Sequence, residues 1–464
     1  MKDDQEYFVF GIEELEQTFR GILEPPSTIV VAGHPGAGKT TLAITICYSN
    51  AKRGYPCLYV TFQEEKAKLY RNMKNLGIDL EDVEKKGAFK FVKLPITQSV
   101  ESVSEFIIKL IEEYKPRIVV IDSINSMLES LKTKVEIRGW LQNFYYAIAN
   151  AVNGLIILIV ELPFGEERIE LGAIEFIADA ILVLKHRIEN RLIARTLEIR
   201  KVRGSPLNIA EIPFSITSGK GIEVYMPKII EELPREGKEL VMPCAALQKA
   251  LDHIHLGMHI YVTYPPDSRI PTHAILLAGI LLTNKLKTLV ISYTYPPDTI
   301  RSILKIQLMK IGINPNIVDE VLDKYIIFRG FNPFSMSLDT LAMREISLIE
   351  EHRDVQAITF HGVELPALIL PPNRYLSALY NQLLYFKAEQ KLVIRTGAYI
   401  NSELHAINSA LSDAVLRVEV DIRNEGEVYE RIHIWRRNRN PYILTNEEIK
   451  TCMDEIKERI KKIL

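Results

Sequence analysis

Two α/β domains in tandem, each a mostly parallel sheet flanked by helices, form the fold that the sequence predicts, on three observations. The chain has 464 residues, about three times a modal domain of ~150, so more than one hydrophobic core is expected. In its first half, short apolar runs alternate with longer segments of helical spacing, as strands joined by crossover helices do. In its second half those runs return in the same order at a nearly constant offset.

The first domain is expected over residues 1–226. Its first strand, Ile29-Val30-Val31-Ala32, runs into Gly33-His34-Pro35-Gly36-Ala37-Gly38-Lys39-Thr40-Thr41, after which Leu42-Ala43-Ile44-Thr45-Ile46 has helical spacing. Further strands are expected at Leu58–Phe62, Ile118–Ile121 and Leu155–Val160, with a helix at Val103–Tyr114. After Ala180–Leu184 the strands become closely spaced, and Leu192–Arg200, Glu211–Thr217 and Gly221–Tyr225 read as antiparallel strands finishing the sheet. Residues 227–243, with Pro234 and Gly237 and little apolar periodicity, read as a linker that leaves 244–464 for the second domain.

Four matches in order carry the repeat. Ile29-Val30-Val31-Ala32 lies over His259-Ile260-Tyr261-Val262, and Leu58–Phe62 over Leu289–Tyr293. Ala178-Asp179-Ala180 recurs as Ser412-Asp413-Ala414, and Arg200–Pro206 as Arg436–Pro441. The chain then closes with a helix: Thr445 and Glu448 have capping-box spacing, and Ile449, Cys452, Met453, Ile456, Ile460 and Ile463 form one apolar stripe that docks on its own domain.

Composition excludes whole classes of function. With 47% hydrophobic and 25% charged residues the chain is an ordinary globular one. A net charge of -2 supplies no global field for nucleic acid or anionic membrane. The longest apolar stretches, Gly154–Val160 and Ala274–Leu282, are far shorter than the ~20 residues that span a bilayer, so no membrane association is expected. The acidic start, Met1 to Glu6, lacks the layout of a signal peptide, and the protein is expected in the cytoplasm. Cys47, Cys57, Cys244 and Cys452 show no CxxC spacing and are expected to be reduced. His253, His255 and His259 have the one metal-like spacing, but no cysteine lies nearby and His259 opens an apolar strand.

The segment Gly33-x-x-x-x-Gly38-Lys39-Thr40 is a phosphate loop in the context it requires, with a strand before it and a helix after. Its glycines let successive N–H groups turn inward around a triphosphate, Lys39 reaches the β and γ oxygens, and the Thr40 hydroxyl ligates Mg²⁺. ATP and Mg²⁺ are therefore the expected ligands, with residues 33 to 41 as the cradle. Mg²⁺ also needs a carboxylate ending a neighbouring strand, and Asp122 follows Ile118-Val119-Val120-Ile121. Hydrolysis needs a group to hold the attacking water. Glu64, just past Val60-Thr61-Phe62-Gln63, is the first candidate, while Glu64 and Glu65 as mere first-turn residues of the next helix remain the alternative.

At these residues the chain resembles the archaeal and bacterial KaiC-like ATPases, a branch of the RecA and RadA superfamily. The resemblance rests on Phe10-Gly11-Ile12-Glu13-Glu14-Leu15, the phosphate loop, Tyr59–Glu64, Ile121-Asp122-Ser123, Glu175–Asp179, Leu197–Gly204 and Pro213-Phe214. It covers the chain to about Tyr225 and, in decayed form, the rest. It implies two RecA-like domains and an ATPase that acts as a nucleotide-controlled homo-oligomer, a hexameric ring, engaging protein partners in signalling or regulation. It also implies that Lys201 and Arg203 act in trans at the neighbour's nucleotide; on an extended strand residues i and i+2 share a face, and a solvated edge is the alternative. The family's paired glutamates here read Gln63-Glu64, and glutamine cannot take a proton from water, which points to slow turnover.

A recombination paralogue that binds DNA shares the same core and is the second reading. Against it, Glu161–Glu170, where a DNA loop would lie, is acidic. In the second half the phosphate loop is replaced by Thr263-Tyr264-Pro265-Pro266-Asp267-Ser268-Arg269-Ile270-Pro271-Thr272, without glycine or lysine. The counterpart of Glu64 is about Tyr295, and that of Asp122 is Phe360 or His361. Arg437 and Arg439 keep the spacing of Lys201 and Arg203, so the basic segment Arg436–Asn440 faces a neighbouring subunit, an acidic partner or nucleic acid.

Overall fold

In the computed structural model a short helix α1 (Glu13–Phe19) precedes strand β1 (Ser27–Gly33), which is buried at every residue. Then come α2 (Lys39–Lys52), β2 (Cys57–Thr61), α3 (Lys66–Asn75), α4 (Leu80–Lys85), β3 (Phe89–Lys93), α5 (Val100–Tyr114), β4 (Ile118–Asp122), α6 (Asn125–Leu128), α7 (Lys134–Val152) and β5 (Leu155–Glu161). Helix α8 (Ile174–Ile177) leads to β6 (Ala180–Glu189), β7 (Leu192–Val202), β8 (Glu211–Thr217) and β9 (Gly221–Val224). The structure describes residues 7–95, 99–128, 131, 133–163, 174–189, 191–204, 211–226, 230, 232–268, 272–368, 372–422 and 428–463.

These strands make one sheet in the order β3-β2-β4-β5-β1-β6-β7-β8-β9. It is parallel from β3 to β6 and antiparallel beyond. A strand covered on both faces must be apolar on both, and β1 obeys: Ile29 and Val31 enter one core, Val30 and Ala32 the other. Edge strand β3, half-exposed, has no continuous apolar run and is the element that the hydrophobic pattern alone does not reveal.

The chain divides between Pro227 and Lys228 into two compact units. The second contains β10 (Glu239–Leu240), α9 (Ala245–Leu251), β11 (Ile254–His255), β12 (His259–Tyr264), α10 (Thr272–Thr283), β13 (Thr288–Ser292), α11 (Pro297–Lys310), α12 (Pro315–Tyr325) and β14 (Ile326–Gly330). It continues with α13 (Leu338–Glu351), β15 (Ala357–His361), α14 (Glu364–Ala367), α15 (Pro372–Ala388), β16 (Leu392–Ala398) and α16 (Ser402–Ala410). Strands β17 (Ala414–Ile422), β18 (Val428–Arg436) and β19 (Tyr442–Leu444) and helix α17 (Asn446–Ile460) complete it. Its main sheet, β14-β13-β15-β16-β12-β17-β18-β19, reproduces the first strand for strand up to β8. Within residues 227–243, β10 pairs with β11 of this unit.

The pairings correct the register of the repeat. Ile29 pairs with Ala180 and Ile260 with Ala414, so Ile29 answers to Ile260, one residue along from the match to His259. Val202 pairs with Ala180 and Arg436 with Ala414, so Arg203 answers to Arg437 and Lys201 to Trp435. Matching like residue types sets Arg437 and Arg439 against Lys201 and Arg203 instead. Hydrogen-bond pairing, not charge, fixes which positions coincide.

Helix α17 has Thr445 as its N-cap with both capping-box bonds to Glu448. Its stripe, Ile449, Cys452, Ile456, Ile460 and Ile463, is buried in the core of its own unit. Each such isoleucine contributes about 2 kcal/mol by leaving water. The cysteines are paired, contrary to the expectation of reduced thiols: Cys47 is bonded to Cys57 and Cys244 to Cys452. The second bridge joins residues 208 apart in sequence, a proximity that only the docking of α17 beside α9 creates.

Candidate active site

The phosphate loop occupies the turn between β1 and α2, at the carboxyl edge of the parallel strands. Gly33 ends β1, and a Cβ there would stand 2.3 Å from the carbonyl oxygen of Leu184 on β6. Gly38 caps α2 with φ +107, a left-handed conformation that a side chain opposes, and a Cβ would meet Ile216 at 2.9 Å. Helix α2 therefore starts at Lys39 with its unpaired N–H groups turned toward the loop. His34 Nδ1 lies 3.3 Å from the carbonyl oxygen of Leu162.

Lys39 is only 7% exposed, and its ammonium donates to the His34 carbonyl at 3.1 Å. Burial lowers its pKa, opposed by the charges of Glu161 and Asp122. A desolvated ammonium next to free helix N–H groups is a site suited to an anion. Thr40 donates its hydroxyl proton to Oδ2 of Asp122 at 2.8 Å, leaving the oxygen lone pairs of Thr40 available to a hard cation. Asp122 is 7% exposed at the end of fully buried β4. A triphosphate with Mg²⁺ fits this donor set: amides and ammonium for the anion, hydroxyl and carboxylate for the metal.

Glu64 lies between β2 and α3, half-buried, its N–H donating to Thr61 Oγ1 at 3.2 Å. Its neighbours differ from it. Gln63 is exposed, and Glu65 is the N-cap position of α3 and pairs with Lys93. Thr61 pairs in register with Asp122, so Glu64 leaves the sheet beside the Thr40–Asp122 pair.

Lys201 and Arg203 lie at the opposite edge of the sheet. Gly33 pairs with Leu184 and that with Leu197, whereas Ile29 pairs with Ala180 and that with Val202. Four residues of strand separate the two levels, about 13 Å. The structure thus does not bring these two bases to the phosphate loop of their own chain. Lys201 donates to the Glu175 carbonyl at 2.7 Å and Arg203 to the Phe176 carbonyl at 3.2 Å, so both face the end of α8. Arg203 also pairs with Asp179 at 3.1 Å.

Tyr59, Glu161 and Asn125 join the site without a role that their sequence context assigns. Tyr59, fully buried on β2, donates to Oδ2 of Asp122. Glu161 ends β5 beside Gly33, and Asn125 braces it through two bonds, its Oδ1 accepting from the Glu161 N–H at 2.8 Å. An apolar run carries no sign of which polar atom its ends will meet; a tyrosine in an otherwise aliphatic strand was the one available signal. Residues 164–170 of the acidic segment lie outside the described residues.

In the second unit the corresponding positions carry other chemistry. His361 stands where Asp122 does, Ser292 where Thr61 does, and Tyr295 where Glu64 does, since β13 and β15 pair as β2 and β4 do. Tyr264 stacks on His273 at 4.8 Å and Tyr295 on His361 at 5.5 Å. Burial pushes both histidines down to about 4, so they are neutral at pH 7 and offer no charge to phosphate. The basic segment is spent on its own unit: Arg436 donates to the Leu251 and His253 carbonyls, Arg437 to the Ala410 carbonyl at 2.7 Å, and Arg439 pairs with Asp252. His253 pairs with Glu239, His255 approaches the Gly237 carbonyl and His259 the Leu411 carbonyl.

Comparison with known proteins places this site. The family model for the KaiC ATPase matches residues 9–229. The circadian clock protein KaiC3 of Synechocystis sp. is 27% identical over 251 residues, covering 50% of this chain and 49% of that protein. The circadian clock oscillator protein KaiC of Rippkaea orientalis is 30% identical over 231 residues, 46% of this chain and 43% of its own. The chain thus spans about half the length of the curated relatives it matches. No helix among the described residues is long and apolar enough to cross a membrane. By strand order, phosphate loop and this match, the first unit is a KaiC-like ATPase domain of the RecA superfamily.

Proposed function

We propose that this protein binds one Mg·ATP per chain in its first unit, hydrolyses it slowly, and uses the nucleotide to control assembly into a homo-oligomer that engages protein partners from the cytoplasm. The active domain is 1–226, joined by 227–243 to a degenerate copy, 244–464. The observation that carries this reading is the meeting of buried Lys39 with the Thr40–Asp122 pair at the N-terminus of α2.

Bound Mg²⁺ would neutralise phosphate oxygens as charge develops on them. Lys39 and free N–H groups of the loop between Gly33 and Thr41 hold the phosphates, and Asp122 keeps the Thr40 hydroxyl aimed. Glu64 accepts the proton of the attacking water, with Gln63 unable to assist in that transfer. Lys201 and Arg203, too far from their own loop, serve a neighbouring chain's triphosphate; the two carbonyls that they hold keep them level with each other.

Titration calorimetry of the full chain with a non-hydrolysable ATP analogue and Mg²⁺ tests the reading. One site per chain, lost in Lys39→Ala, is expected. Two sites, or binding unchanged in Lys39→Ala, would overturn it.

A further inference from the structure

We propose that Tyr59 is a positioning residue of the metal site, holding Asp122 so that the Thr40 hydroxyl presents its lone pairs to Mg²⁺. The proposal rests on the Mg·ATP reading above and adds a residue to it.

The hydroxyl of Tyr59 has no packing purpose. Strand β2 is Cys57-Leu58-Tyr59-Val60-Thr61, buried throughout, and the Tyr59 ring stacks on Phe91 at 6.0 Å and tilts against Phe89 at 6.3 Å. A phenylalanine would make the same contacts. A buried hydroxyl costs free energy unless it is bonded, and the Tyr59 O–H donates to Asp122 Oδ2. Oδ2 thus accepts two hydrogen bonds, one from Tyr59 and one from Thr40, the latter at 2.8 Å. Two donors converging on one carboxylate oxygen fix the carboxylate plane. The plane in turn fixes the rotamer of Thr40.

The second unit supplies an internal control. Tyr59 pairs with Val120 two residues before the Thr61–Asp122 pair, and Val290 pairs with Thr359 two residues before Ser292–His361. Val290 therefore stands in the place of Tyr59 where His361 stands in the place of Asp122. The phenol and the carboxylate are present together in one unit and absent together in the other. A tyrosine needed only to fill the core would have no reason to follow the carboxylate.

The test is Tyr59→Phe in the full chain, read by Mn²⁺ binding. Electron paramagnetic resonance of free Mn²⁺ is titrated in the presence of a saturating non-hydrolysable ATP analogue, and analogue affinity is measured separately in EDTA. Loss of such an outer bond weakens metal affinity by about tenfold. The expected result is that loss of Mn²⁺ affinity, with metal-free nucleotide affinity and thermal midpoint unchanged. Mn²⁺ affinity equal to or tighter than the parent's overturns the proposal, as does a loss of metal-free nucleotide affinity in proportion, which would mark a packing defect. Asp122→Asn separates the two levels. If it loses Mn²⁺ while Tyr59→Phe does not, the Mg·ATP reading stands and the role of Tyr59 falls. If the parent chain binds neither analogue nor Mn²⁺, the reading itself falls and takes the role of Tyr59 with it.

Discussion

Asp179 and Asp413 accept the same two backbone N–H bonds in the two units. The Oδ2 of Asp179 accepts from the Thr28 N–H at 2.9 Å, and that of Asp413 from the His259 N–H at 2.9 Å. Their carbonyls accept from the N–H groups of Arg203, at 2.8 Å, and Arg437, at 3.1 Å. Each aspartate thereby pins the start of the central strand to the end of the first antiparallel strand. The guanidinium that follows also repeats, Arg203 on the carbonyl of Phe176 and Arg437 on that of Ala410. The duplication has preserved the frame that aims this arginine while discarding the phosphate loop.

Removing the proposed proton acceptor, Glu64, without disturbing the cradle should separate binding from hydrolysis. Glu64→Gln is expected to lower ATP turnover by about 100-fold or more, since a positioned base contributes on that order, with nucleotide affinity unchanged. Phosphate release and calorimetry on the same preparation check it. Normal turnover would move the role to another group. Gln63→Glu, at an exposed position, is expected to raise turnover.

Lys201→Ala with Arg203→Ala is expected to weaken ATP-dependent assembly by about tenfold or more, through loss of charge-assisted bonds to a neighbour's triphosphate. Sedimentation with ATP and with ADP reads it, with circular dichroism to verify the fold because both side chains also hold α8 carbonyls. A parent chain that stays monomeric at high concentration with Mg·ATP returns both bases to a solvated edge.

Reduction of the Cys244–Cys452 bridge should destabilise the second unit. Its 208-residue separation gives a chain-entropy contribution of up to about 5 kcal/mol. Cys452→Ser is expected to lower the thermal midpoint of the second unit in non-reducing buffer, and reductant, which can still open Cys47–Cys57 of the first unit, is expected to lower the second unit's midpoint no further. An equal midpoint for parent and variant would show that the bridge contributes nothing.

Glu345, buried on α13, accepts from Tyr293 and from Gln382, with Arg395 facing it across a small cavity. Burial raises its carboxyl to about 7. A group that holds its proton more tightly when folded stabilises fully below its unfolded value near 4.5, and that stability is lost as pH rises through 7. Glu345→Gln should therefore gain stability relative to the parent as pH is raised from 5 to 8. The comparison is made with the parent at each pH because buried His259 and His273 and half-buried His361, all pushed down, carry the opposite slope. Parallel pH curves for variant and parent would remove the assignment.

Whatever depends on local chemistry and period is legible along the chain. Apolar runs bounded by Gly33 and Asp122 announced strands covered on both faces, the glycine spacing announced a phosphate cradle, and Thr445 with Glu448 announced the start of α17. Each needs only neighbours along the chain. Tertiary structure decided whatever depends on which strands lie side by side. The bond from Tyr59 to Asp122, the alignment of Arg203 with Arg437 and the separation of Lys201 from its own loop follow from strand order and register, and the Cys244–Cys452 bridge follows from the docking of α17 beside α9. A one-residue shift in that register reverses the face of every side chain, and residue type is silent about it.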